Sequence, residues 1–165
     1  MISDLYTPKQ LEVLRTVLWR NDWRLLINYG AVRSGKTVID NDVFLMELRR
    51  IRKLADKLEV DEPMYILAGY SSKSLQNNVL QELTNKYGID FQFDKHGSFK
   101  LFGVKVVQTF TGSIAGLGAI RGMTSFGAYI NEASLANETV FNEILDRCSA
   151  PVSYTHLTLP TICSV

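Results

Sequence analysis

Apolar positions in this chain switch between helical and extended spacing, and the switch points predict a β-α-β-α core behind one leading helix. Thr7-Pro8-Lys9-Gln10 opens that helix: Thr7 caps it, Pro8 suits the first turn, and Leu11, Leu14, Val17 and Leu18 form its stripe, with an end near Asn21. Leu25 to Tyr29 is an apolar run of strand length. From Thr37 the spacing turns helical, with Phe44, Leu48, Ile51, Ala55 and Leu58 on one face. Pro63 breaks it, and Met64 to Ala68 reads as a second strand. A helix from about Ser72 to Tyr87 follows, capped by Ser71 or Ser72, stopped by Gly88 and burying Leu75, Val79, Leu83 and Tyr87.

Beyond Gly88 the pattern changes. Phe91 and Phe93 alternate with polar residues, and Phe99 to Phe110 is strand-like with an interruption at Gly103, which predicts antiparallel strands or a hairpin. Lys95-His96-Gly97-Ser98 reads as a turn, which makes His96 a solvent-exposed turn residue rather than a catalytic one. Thr111 to Gly122 is glycine-rich and loop-like; its G-x-G-x-x-x-G spacing misses the dinucleotide fingerprint. Phe126 to Ile130 is a further short strand, and a helix then reaches Arg147.

With 165 residues and 46% apolar content, the chain suits one domain with a sizeable core. A net charge of +1 excludes no partner class, since basic residues can cluster on a nearly neutral protein. Arg49, Arg50, Arg52 and Lys53 crowd the second half of the long helix, where the dipole favours cations on a solvated face, so they are not read as a DNA site. No apolar run approaches the roughly 20 residues of a membrane span, and no signal-peptide pattern opens the chain, which points to a cytoplasmic protein. Cys148 and Cys163 have neither zinc spacing nor a disulfide framework.

The chemistry begins at Gly30-Ala31-Val32-Arg33-Ser34-Gly35-Lys36-Thr37, which fills the phosphate-loop (Walker A) pattern G-x-x-x-x-G-K-[ST] between a predicted strand and a predicted helix. Glycines let backbone N–H groups turn in around phosphate oxygens, Lys36 supplies charge for the β/γ-phosphates, and the Thr37 hydroxyl can ligate Mg²⁺. The helix dipole adds to the anion site. A nucleoside triphosphate is therefore the expected ligand.

The second element is the end of the strand Phe126 to Ile130, which delivers Asn131 and Glu132 and resembles a Walker B element. Such a strand usually ends in Asp-Glu, the first holding Mg²⁺ through water and the second polarising the attacking water. Asn131 can still accept from a metal-bound water but brings no charge, and Glu132 is the general-base candidate.

Taken in order, several segments resemble the ATPase motor half of tailed-phage terminase large subunits, the DNA-packaging enzymes. They are Tyr6-Thr7-Pro8-Lys9-Gln10, the Arg-containing phosphate loop, Ile120-Arg121-Gly122-Met123-Thr124, Tyr129-Ile130-Asn131-Glu132-Ala133-Ser134-Leu135, and a helix reaching Arg147-Cys148-Ser149. The resemblance implies an α/β P-loop NTPase with a mainly parallel sheet in the additional-strand, RecA-like order. ATP and Mg²⁺ are its ligands, with Lys36 and Glu132 catalytic, Arg33 steadying γ-phosphate charge and Arg121 a candidate trans arginine for a neighbouring subunit. Gln10 would read the adenine edge, although Thr7 and Gln10 also satisfy a capping box for local reasons. Implied partners are double-stranded phage DNA, the terminase small subunit, the portal protein and further copies in a homo-oligomeric ring, in the cytoplasm of an infected bacterial host.

Residues 1–151 are thus read as a partial P-loop ATPase domain. Residues 152–165, from Val152-Ser153-Tyr154-Thr155-His156, look like a translated sequencing adapter, a non-native tail in which His156 and Cys163 carry no meaning. The family's strand between the phosphate-loop strand and the acidic strand comes after Arg147, so the expectation is a sheet that lacks its middle strand and a chain that is itself inactive. Two alternatives stay open: a helicase-like nucleic-acid-remodelling ATPase, and a nucleotide-binding assembly module without hydrolysis, for which Asn131 is the motive.

Overall fold

A computed structural model of the chain describes residues 5–19, 25–28 and 35–149, and the backbone of 159–162. Helix α1 (Pro8–Trp19) and strand β1 (Leu25–Asn28) precede the long helix α2 (Lys36–Lys57) and strand β2 (Met64–Gly69). Helix α3 runs on through Ser72–Leu75, a π-helical turn Gln76–Leu80 and Gln81–Tyr87. Strands β3 (Phe99–Leu101) and β4 (Val104–Phe110) follow, then short helical turns Ile114–Gly116 and Leu117–Ile120, strand β5 (Ala128–Ile130), helix α4 (Glu138–Arg147) and strand β6 (Leu159–Ile162).

The sheet order is β1-β6-β5-β2-β4-β3, and every neighbouring pair is parallel except β3 with β4. Alternation along β2 explains the two covered faces. Tyr65 and Leu67 pack with Phe44, Leu48 and Ile51 of α2 and Leu75, Val79 and Leu83 of α3, whereas Ile66 and Ala68 point the other way, onto Val140 and Ile144 of α4. Leu14 and Val17 of α1 close on Ile39 and Val43, fixing α1 against the first half of α2.

The α/β class, the mainly parallel sheet, the β3–β4 hairpin around Phe102-Gly103 and the Ser71 and Gly88 caps match the pattern read from sequence. Several details differ. Leu58 follows the end of α2 and is exposed, because its N–H closes the last turn while its side chain has left the stripe. Tyr87, at the last turn of α3, is also exposed, its hydroxyl reaching Asp42. The glycine-rich loop winds into helical turns over 114–120, with Leu117 and Ile120 buried. The end of the first helix near Asn21 lies outside the described residues.

The largest correction concerns the middle strand. The slot between β1 and β5 is filled by Leu159–Ile162, which pairs parallel with β1 over its whole length and meets β5 at Ile130–Thr161. Two strand edges that face each other expose rows of N–H and C=O groups, and a short extended segment from later in the chain satisfies them through its backbone.

Candidate functional site

Helix α2 begins where a phosphate-binding helix should. Gly35 caps it at φ 78°, a left-handed conformation that glycine adopts without strain, and no side chain caps the first amides. Those amides, with no acidic residue in the first turn, are suited to an anion. Lys36 and Thr37 form the first turn and are half-buried. Gly30, Ala31, Val32, Arg33 and Ser34 lie outside the described residues.

Gln10 stands beside this cap. Its Oε1 accepts from the Thr7 N–H at 2.9 Å and its own N–H donates to Thr7 Oγ1 at 3.3 Å, which completes the capping box. Its Nε2 also donates to the Gly35 carbonyl at 3.0 Å. One turn into α2, Asp40 is fully buried and accepts from Asn28 Nδ2 at the end of β1, while its Oδ2 has no partner among the described residues. Burial pushes the Asp40 carboxyl up to about 7, against the Asn28 hydrogen bond and the Lys36 charge.

The acidic element arrives at the same edge of the sheet. Ile27, Thr161 and Ile130 share one row across β1, β6 and β5, so Asn28, the last residue of β1, and Asn131, the first after β5, stand level. Two inter-strand steps separate them, about 10 Å. This is the carboxyl edge of a parallel sheet, where open α/β folds bind ligands. Asn131 is buried and its Nδ2, a donor, has no partner among the described residues. Glu132 follows at φ 58°, a left-handed bend that takes its side chain out of strand alternation. Its Oε2 accepts from Ser74 Oγ at 2.6 Å and its Oε1 from Asn78 Nδ2 at 3.4 Å. The residues predicted for phosphate, metal and water activation that the structure describes, Lys36, Thr37, Asn131 and Glu132, therefore gather on one edge of the sheet.

Ser74, Asn78 and Asp40 were missed from sequence. Ser74 and Asn78 stand at i, i+4 on α3, visible as a pattern, but nothing ties that pair to Glu132 until β2 lies beside β5. Arg121 is exposed at the end of the Leu117–Ile120 turn. His96 lies in the expected turn, its N–H held by Asp94. Three members of the basic cluster are engaged within the chain. Arg52 pairs with Asp56 and donates to the carbonyls of Val60, Asp61 and Gly103, Arg50 pairs with Glu47, and Arg49 stacks 4.4 Å from the Phe102 ring centre. Among the described residues there is no cluster of His, Cys, Asp and Glu able to hold a metal by itself, and no helix long and apolar enough to cross a membrane.

No protein-family model matches the sequence, and no curated protein does. Solved structures do. A large terminase from a thermophilic bacteriophage superposes over 96% of this chain with a TM-score of 0.75 at 20% identity. The same protein in complex with ATP-gamma-S covers 95% with a TM-score of 0.69 at 21% identity, and the HK97 bacteriophage large terminase covers 96% with a TM-score of 0.63 at 12% identity. The chain accounts for 39%, 38% and 33% of those three chains, and what it shares with them is the fold.

Proposed function

We propose that this chain is the ATP-hydrolysing motor part of a phage terminase large subunit, which in its intact form drives double-stranded DNA into a procapsid. The observation that carries the reading is that Asn28 and Asn131 stand level, with Glu132 on the edge where α2 starts. Lys36 and the first amides of α2 hold phosphate charge, Gln10 borders the loop, and Arg33 steadies the γ-phosphate. Held by Thr37 and a water on Asn131, Mg²⁺ would neutralise charge on the β- and γ-phosphate oxygens. Glu132 takes a proton from the attacking water as its oxygen bonds to the γ-phosphorus; the bond to the bridging oxygen breaks, and ADP and phosphate leave.

The fold neighbours support this reading, and one of them was crystallised with ATP-gamma-S. Arg121, exposed on the surface, is the candidate to reach a neighbouring subunit's nucleotide in a ring, with the small subunit and the portal protein as further partners. In this proposal residues 152–165 are a non-native tail. Pro160 sits in the central strand opposite Leu26, where a missing N–H removes a ladder hydrogen bond, a placement natural central strands avoid.

Asn131 favours a second reading, a nucleotide-binding module without turnover, since an amide brings no charge to the metal. ATP hydrolysis by the full-length protein decides between them. The motor reading expects turnover that Glu132→Gln abolishes and Asn131→Asp retains; an unmodified protein that binds ATP without turning it over establishes the module.

A further inference from the structure

We infer that Ser74 and Asn78 of α3 are positioning residues for Glu132, setting where its carboxylate stands when water attacks. The inference rests on the proposed ATPase reading. Glu132 leaves β5 in a left-handed bend, so neither the strand ladder nor a helix fixes its side chain. What holds it is α3: Ser74 Oγ at 2.6 Å on Oε2 and Asn78 Nδ2 at 3.4 Å on Oε1, one donor for each oxygen. The two donors share a helix face because they are four residues apart.

The holder is itself anchored to the phosphate-loop helix. The Asn78 carbonyl accepts from Asn41 Nδ2 of α2 at 3.0 Å, and Asn41 Oδ1 accepts from the Tyr129 hydroxyl of β5 at 3.1 Å. Asn78 lies within the π-helical turn Gln76–Leu80, which interrupts the regular i→i−4 pattern where this carbonyl is used sideways. Asn41 and Tyr129 are both buried, so this bracket of α2, α3 and β5 is shielded from competing water. Glu132 is therefore referenced to the helix that carries Lys36 and Thr37 rather than to its own strand alone. Catalysis by a general base depends on such placement, since a misplacement of about 1 Å can cost on the order of 10²-fold.

The test uses the full-length protein, with wild type and Glu132→Gln as controls that establish or remove the ATPase reading itself. Given turnover that depends on Glu132, Ser74→Ala is expected to lower kcat about tenfold with KM and melting temperature unchanged, and Ser74→Thr, which restores a hydroxyl, to recover it to within about twofold. Asn78→Asp keeps the volume and sets a second carboxylate against Oε1, and is expected to lower kcat similarly with its backbone contact to Asn41 intact. The inference is overturned if kcat stays within twofold of wild type in Ser74→Ala and Asn78→Asp, or if Ser74→Thr is no better than Ser74→Ala. An Asn78→Asp protein that matches wild type overturns it even where Ser74→Ala does not fold. Wild-type protein without turnover, or full turnover in Glu132→Gln, removes the ATPase reading and this inference with it.

Discussion

Gln10 Nε2 donates to the Gly35 carbonyl at 3.0 Å, which ties the first helix to the last glycine of the phosphate loop. The same side chain closes the capping box on Thr7, so one amide serves two elements. Gln10→Ala is expected to cost about 1–2 kcal/mol, the range of a lost cap plus a hydrogen bond. Gln10→Glu keeps the acceptor for Thr7 and loses the donor, and should cost less. Gly35→Ala adds a Cβ 2.8 Å from Gln10 Nε2 at φ 78°, for a loss of about 1–3 kcal/mol. Because removing Gln10 relieves that contact, the double variant Gln10→Ala/Gly35→Ala should lose less than the sum of the singles in urea unfolding.

Asp40 makes stability depend on pH. Its carboxyl is raised from 3.8 to about 7, chiefly by burial, so the folded state keeps a proton that the unfolded chain releases near pH 4. Between these values the unfolded state binds fewer protons, and stability falls as pH rises from about 4 to about 7. By the equivalence of one pKa unit to about 1.4 kcal/mol, the loss is a few kcal/mol. Asp40→Asn should abolish this component and be the more stable protein at pH 8, while lying near wild type at pH 4. Urea midpoints measured across that range check it; parallel curves for the two proteins would refute it.

Asp42 is an opposite case, a buried acid with full partnership. Lys86 Nζ lies 2.8 Å from both its oxygens, the Tyr6 hydroxyl donates at 2.9 Å and the Tyr87 hydroxyl at 2.6 Å. Burial, then the hydrogen bond to Asp42, pushes both phenols up to about 12, so they remain donors through the ordinary pH range. The cluster joins α2 to the end of α3 and to Tyr6, just ahead of α1. Asp42→Ala strands three donors and is expected to cost about 3 kcal/mol, the lower end for a broken buried pair because Lys86 is part-exposed and can be rehydrated. Urea unfolding measures it.

Strand β1 pairs with β6 and with no other strand among the described residues. Removal of residues 152–165 should therefore release β1, read as fast hydrogen exchange at Leu25–Asn28 while β2 and β4 remain protected. Replacing Leu159–Ile162 with Val-Thr-Val-Thr should retain or increase that protection, since the slot is filled by backbone hydrogen bonds and the exchange removes Pro160. Loss of protection in the replacement would mean that the tail's own side chains are required.

Much of the architecture was legible because it follows from local chemistry. Caps at Ser71 and Gly88, the stripe through Phe44, Leu48, Ile51 and Ala55, and the turn at Gly103 each depend on a few neighbouring residues. Leu58 and Tyr87 continue their stripes in the sequence but are exposed, because a periodic stripe does not say where its helix stops. The phosphate-loop residues and Glu132 were named from their order alone, but the donors on Glu132 were not, since Ser74 lies 58 positions away and meets it only across adjacent strands.

The amino-acid order by itself determined most of the elements and their caps and singled out the candidate phosphate-binding and acidic residues, because helix periodicity, turn chemistry and the phosphate-loop spacing act over a few residues. Tertiary structure alone decided that Asn28 and Asn131 stand level, that Leu159–Ile162 fills the central slot, and that α3 holds Glu132. Those outcomes depend on which strand edges pair and which buried groups find partners. Both are properties of the assembled sheet, where unpaired backbone is costly and burial changes what a carboxylate can do.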